Sequence, residues 1–298
     1  MVPAKEFFSQ GWPTRLAFYL GKYSPPRGGR LIAGLAARTI VTLKPSIYHD
    51  VYANQRHVLG ADAPESKVRW NVYRVFFNAS RAYYELFHNV GRGRLLVREF
   101  VPPVRLTPEA QEILRQVLAS GRGFFILGCH VSNFDLAGIG LSQFMPIPLQ
   151  VLSLAHPSPG FELFNELREK AGAMITPISA GALREAMRRL SDGGAVITGV
   201  DRPVGDGDEP VEFFGALAHL PSGYLRIPLR TDCLVITACA FFEEGEYRIV
   251  ANPPLEMVRT GDREEDLAIN RRRVLQEIEG LIARHPEQWM MFVPVWNH

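Results

Sequence analysis

The chain has 298 residues, 47% apolar and 21% charged, which excludes a disordered polyelectrolyte and allows a sizeable buried core. Its net charge is only +2, yet residues 1–115 carry 17 Lys and Arg against 8 Asp and Glu, leaving the remainder acidic. A basic, aromatic-rich front end suits an anionic lipid surface, where each cation contributes about 1 kcal/mol.

The first stretch reads as helices over Phe7–Leu20, Arg30–Leu43, Ile47–Leu59 and Lys67–Asn89. Proline and glycine interrupt the apolar periodicity at Ser24–Gly29, Lys44-Pro45 and Gly60–Pro64. Lys5 and Glu6 precede aromatics with no small-residue cleavage site, so no secretory signal is expected. Leu31–Leu43 is too short to span a bilayer and is interrupted by Arg38. Its apolar residues face nearly every side, so this helix is either core or partly embedded in an interface. Residues 1–92 are thus expected to form a helical, membrane-facing extension, and residues 93–298 an α/β core continuous with it.

From about residue 94 short apolar runs alternate with helical patterns. Strands are expected at Leu95–Phe100, Phe124–Leu127, Gln150–Leu154, Met174–Pro177, Ala195–Gly199, Leu234–Phe241 and Tyr247–Val250. Helices are expected from Thr107, whose side chain can cap a first turn containing Pro108, and from about Asn133. Further helices are expected over Gly160–Ala171, Ala180–Leu190 and Arg263–Arg284. Leu136–Ala155 is long and uncharged, but Pro146 and Pro148 split it into a helix and a strand. The alternation predicts an α/β fold: a mostly parallel central sheet covered by helices on both faces, with an N-terminal helical extension.

The chemistry concentrates in Phe124-Phe-Ile-Leu-Gly-Cys-His130-Val-Ser-Asn-Phe-Asp135. A buried strand runs into glycine, and the histidine sits at its C-terminal end, the edge where open α/β sheets bind ligands. Imidazole takes a hydroxyl proton readily near neutral pH, and an aspartate one helical turn on can reach back to orient it. His57 and Asp62 repeat the spacing, but no strand precedes them, so His57 reads as structural. Cys129, Cys233 and Cys239 have no zinc spacing and read as reduced thiols, Cys129 being a small buried residue at a strand end. No Gly-x-Ser-x-Gly elbow makes Ser132 or another serine a nucleophile. Gly205-Asp-Gly-Asp-Glu209 is too short for an EF-hand, and His156, His219 and His285 lack metal spacing, so no metal or cofactor is expected.

The His130 segment resembles the active-site motif of the bacterial lipid A late acyltransferase family, which includes the phosphatidylinositol mannoside acyltransferases. Other blocks share the resemblance in order: Tyr84-Glu85, Phe164-Asn-Glu-Leu-Arg168, Gly199-Val-Asp201-Arg202, Phe213-Phe214-Gly215, Leu220-Pro-Ser-Gly223 and Pro286-Glu-Gln-Trp289. The resemblance implies an acyltransferase that moves a fatty-acyl group from acyl-CoA or acyl carrier protein to a lipid or glycolipid hydroxyl. It implies His130 as general base, with Asp135 close to it as an organiser, and it matches Asp201 to an acidic position that in some relatives bonds the catalytic histidine. Spacing does not choose between the two aspartates. It also implies that Arg168 binds a headgroup or carrier phosphate, with Asn133, Arg202 and Glu212 as further substrate-binding candidates. The closing segment Trp289–Trp296 lacks the arginine with which the family often ends, and the hydrophobic N-terminal anchor is weak. Peripheral or monotopic attachment at the cytoplasmic face of the cell membrane is the resulting expectation. Arg271-Arg-Arg273 is a solvated face or a dock for acidic carrier protein, and no nucleic-acid partner is expected. A thioesterase or lipid hydrolase, or a non-catalytic lipid-binding protein, are the alternatives.

Overall fold

The computed structural model describes residues 11–205 and 208–296. Four helices come first: α1 (Gly11–Tyr23), α2 (Pro26–Leu43), α3 (Ser46–Leu59) and α4 (Glu65–Gly91). Proline opens α2 where its missing N–H costs nothing, and Lys44 ends it in the left-handed region (φ 45°) just before Pro45. α1, α2 and α3 all pack against α4. The C-terminal part of α4 buries Leu86, Phe87 and Val90 in the same apolar cluster as Phe124, Leu136 and Ile236. Residues Phe7 to Gln10 of the expected first helix, like Lys5 and Glu6, lie outside the described residues.

A seven-stranded sheet follows, in spatial order β1-β9-β8-β2-β5-β3-β4. Its strands are β1 (Val104–Leu106), β2 (Phe124–Gly128), β3 (Leu149–Ser153), β4 (Met174–Pro177), β5 (Ala195–Gly199), β8 (Leu234–Glu243) and β9 (Glu246–Ala251). Every pairing is parallel except the β8–β9 hairpin. Residues Leu234 to Phe241 of β8 are all buried, as a strand covered on both faces must be.

The connecting helices are α5 (Pro108–Ala119), α6 (Phe134–Phe144), α7 (Pro159–Lys170), α8 (Ala180–Ser191) and α9 (Arg263–Arg284). Thr107, Asn133, Ser179 and Asp262 cap α5, α6, α8 and α9, each side chain accepting from a backbone N–H of the first turn. On one face of the sheet α8 and α9 bury Ala186, Leu190, Val274 and Ile278 with Trp289. On the other, α5, α6 and α7 bury Val117, Leu136, Ile139 and Leu167. Each of the Val, Leu and Ile side chains, fully buried, contributes about 1.5–3 kcal/mol.

Two local expectations are corrected. Leu95–Phe100 is no strand: Val97–Glu99 forms a single 3-10 turn, and pairing begins at Val104. Pro102 and Pro103 have no N–H to give a ladder, and Leu96 and Val101 remain exposed. A second, two-stranded sheet was not foreseen: β6 (Glu209–Phe213) pairs antiparallel with β7 (Ala216–Leu220). Phe214 (φ 49°) and Gly215 (φ 74°) form its turn, the pair of positive angles that a tight two-residue hairpin requires.

Candidate functional site

Register assembles the site. Gly128 at the end of β2 lies level with Gly199 at the end of β5. His130 and Asp201 each stand two residues beyond those glycines, so parallel pairing sets them side by side at the C-terminal edge. His130 Nδ1 lies 2.6 Å from Asp201 Oδ1, and the His130 backbone N–H donates to Asp201 Oδ2 at 2.8 Å. Among the described residues the ring's Nε2 has no hydrogen-bond partner, and the side chain keeps 24% of its exposure. The ring meets Phe134 edge-on at 5.1 Å.

Asp201 is fully buried. Burial by itself raises a carboxyl pKa. Here the charge of His130, hydrogen bonds from its ring and backbone, and the Trp289 indole outweigh that effect and hold Asp201 below the usual range. Trp289 Nε1 donates to Asp201 Oδ2 at 2.8 Å. Gly199 closes the other side: a Cβ there would stand 3.0 Å from His130 Cε1, so a larger residue would press on the imidazole.

Asp135, in the first turn of α6, faces elsewhere. Arg168 of α7 donates to its Oδ1 through Nε at 2.6 Å, with Nη2 at 2.5 Å, and through Nη1 to Asn165 Oδ1 at 2.8 Å. The aspartate at the His-x-x-x-x-Asp spacing therefore anchors an arginine, and the one that bonds the histidine ring is Asp201. Spacing leaves both aspartates open as partners of His130; in the fold Asp201 takes that place. Arg202 is half-buried with its guanidinium 5.5 Å from the Phe161 ring centre, and burial lowers its pKa. Among the described residues no carboxylate forms an ion pair with it. Tyr83 lies near this group; burial first, then the Asp135 charge, pushes its hydroxyl up to about 12. Phe164 packs on Tyr83 at 5.2 Å, completing an aromatic wall beside the arginines.

Asn133 is buried and its amide is committed: Oδ1 caps α6 through Leu136 N–H, and Nδ2 donates to the Ala82 carbonyl. Both groups are thus engaged within the protein. Glu212 lies on the β6–β7 hairpin, exposed and paired with Arg272 of α9 at 3.2 Å, so it too is engaged within the protein. Cys129 is buried against Cys239, and that hydrogen bond together with burial raises its thiol well above the ordinary value, so no thiolate forms there near neutral pH. His57 Nε2 bonds the Phe214 carbonyl at 3.1 Å and its ring stacks on Trp296. Among the described residues no cluster of metal-ligating side chains stands at the site. Trp289, Gly199 and Tyr83 were not singled out as site residues. Trp289 and Gly199 belonged to quoted blocks, but only the folded register reveals what they touch.

A family model described as bacterial lipid A biosynthesis acyltransferase matches residues 101–298. A phosphatidylinositol mannoside acyltransferase from Mycolicibacterium smegmatis is 24% identical over 186 residues, covering 61% of this chain and 60% of the relative. One from Mycobacterium tuberculosis is 25% identical over 186 residues, covering 61% of this chain and 57% of the relative. The match thus spans about 60% of the length of these curated relatives.

Proposed function

The chain belongs to the bacterial lipid A biosynthesis acyltransferase family, and on that premise we propose that it transfers a fatty-acyl group from a thioester to a lipid hydroxyl, with His130 as general base. The observation that carries this reading is the His130–Asp201 pair, with Nδ1 committed and Nε2 open. Nε2 takes the proton of the acceptor hydroxyl while that oxygen bonds to the thioester carbonyl carbon. As the tetrahedral adduct collapses, the C–S bond breaks and the departing thiolate receives the proton from the imidazolium. Asp201 fixes the tautomer and stabilises the imidazolium between the two transfers. Attack is direct: Cys129, the thiol next to the base in the chain, is buried against Cys239 in the apolar core.

Arg202 is the freer cation at this edge, since Arg168 is tied to Asp135, and a permanent guanidinium suits a phosphate of the donor or of the acceptor headgroup. The acceptor is read as a glycolipid or related lipid, in keeping with relatives named for phosphatidylinositol mannoside. The donor is acyl-CoA or acyl carrier protein. α1 and α2 expose Leu16, Tyr19, Leu20, Tyr23, Leu31 and Leu35, a surface suited to peripheral attachment at the cytoplasmic leaflet. Among the described residues no helix is long and apolar enough to cross a membrane.

The test is thiol release from palmitoyl-CoA by purified protein, with and without a membrane lipid extract, for the native protein and His130→Ala. Release that depends on the extract and vanishes in the variant supports transfer. Equal release without extract makes the protein a thioesterase. Undiminished release by His130→Ala removes the histidine from the mechanism.

A further inference from the structure

We propose that Trp289 is a positioning residue for the reacting pair, held in place by buried amides of α3 and α4. The inference rests on His130 acting as the base. A carboxylate opposite a histidine can rotate about its Cβ–Cγ bond, and only one orientation presents an oxygen along the Nδ1–H direction. In Asp201, Oδ1 makes that contact, while Oδ2 is fixed twice, by the His130 backbone N–H and by the Trp289 indole N–H, each at 2.8 Å. The backbone N–H travels with His130 itself. The indole is the independent reference, fixed in the core at 1% exposure.

The segment that carries Trp289 is secured from both sides. Trp289 forms an antiparallel bridge with Val131, the Met290 N–H donates to the His130 carbonyl, and the Ser132 N–H donates to the Gln288 carbonyl, the latter two at 2.8 Å. On the far side, Asn78 of α4 donates to the Glu287 carbonyl and Gln55 of α3 to the Pro286 carbonyl, both at 2.8 Å. Asn54 of α3 donates to the Val293 carbonyl at 2.8 Å and accepts from the Val295 N–H at 3.2 Å. All three amide residues are buried and each donates to a carbonyl of this segment, so they fix its position and do more than fill space. Through this segment α3 and α4, which lie outside the sheet, bear on the geometry of the base.

The test is a double-mutant cycle on extract-dependent thiol release from palmitoyl-CoA: Trp289→Phe, Asp201→Asn and both together. Trp289→Phe is expected to lower kcat about 10- to 100-fold, the size of one hydrogen bond to a charged group, with KM changed less than about twofold. In the Asp201→Asn background the same change is expected to cost less than about twofold, because the group it acts through is already lost. Asn78→Ala is expected to lower kcat in the same direction. Replacing Trp289 by β-(3-benzothienyl)alanine, which keeps the shape and lacks the N–H, separates positioning from packing; it is expected to reproduce the kcat loss with a smaller fall in melting temperature than Trp289→Phe. Full activity with that residue, or a loss that multiplies in the double variant while His130→Ala is inactive, overturns the role of Trp289 and leaves the transferase standing. A fully active His130→Ala overturns both.

Discussion

Two buried carboxylates flank the ends of the central strands, and each is held by a different basic side chain. Asp201 faces an imidazole and accepts an indole N–H; Asp135 faces the Arg168 guanidinium. Their substitutions should part company. Asp201→Asn keeps the shape but favours the wrong tautomer, so kcat is expected to fall about 10³- to 10⁴-fold with substrate binding retained, read as separate kcat and KM. Asp135→Asn leaves the Arg168 charge buried beside a neutral amide, and a loss of about 3 kcal/mol is expected in urea denaturation. Gly199→Ala pushes a methyl group against the imidazole, so activity should drop while the melting temperature moves little, measured on the same preparation. His130 was legible from its strand, glycine and helix, all of them local. Its partner was left as one of two aspartates, because His130 and Asp201 are 71 residues apart and meet only through sheet register.

At the scale of elements, α4 does more than cover the sheet. It carries Glu85 into the interior, where Tyr247 of β9 donates to its carboxylate and Arg81 stands 3.8 Å away. Burial dominates these attractions and pushes Glu85 up to about 7 from 4.5. The folded chain therefore holds a proton that the unfolded chain releases, so stability falls as pH rises between about 4.5 and about 7 and then levels. Glu85→Gln should flatten that slope, worth up to about 3 kcal/mol, in denaturation midpoints taken across the range. A slope unchanged in the variant would assign it to other groups. Helix caps such as Thr107 and Asn133, and the run of proline and glycine breaks, made most elements readable, because a cap and its helix are neighbours in sequence. The β6–β7 hairpin was missed because a Phe-Gly turn carries a weaker signal than Asn-Gly, and Phe214 adopts its positive φ only with the strands already paired.

For the molecule as a whole, the basic front end gathers on the helices that also expose apolar side chains. Arg15, Arg30, Arg38 and Lys44 are exposed beside Leu16, Leu31, Leu35 and Leu43 on α1 and α2 and at the end of α2. A surface of this kind partitions onto anionic lipid through both terms and weakens with salt. Replacing Leu31 and Leu35 together by Asp should cut sedimentation with phosphatidylglycerol vesicles at least tenfold and raise KM for a vesicle-borne acceptor, with the melting temperature nearly unchanged since both side chains are exposed. Binding that is indifferent to both salt and the double variant would locate the lipid surface elsewhere.

By itself the amino-acid sequence determined most of the helices and the central strands, the mostly parallel sheet, the place of His130 at a strand end and the family. Those follow from periodicity, caps and ordered motifs, whose physics acts over a few neighbouring residues. Only the tertiary structure decided that Asp201 bonds the histidine while Asp135 serves Arg168, that Trp289 fixes the carboxylate, and that amides of α3 and α4 hold Trp289 in place. Each of these contacts joins residues far apart in the chain, and each depends on strand register and on the packing of α4, which no local pattern encodes.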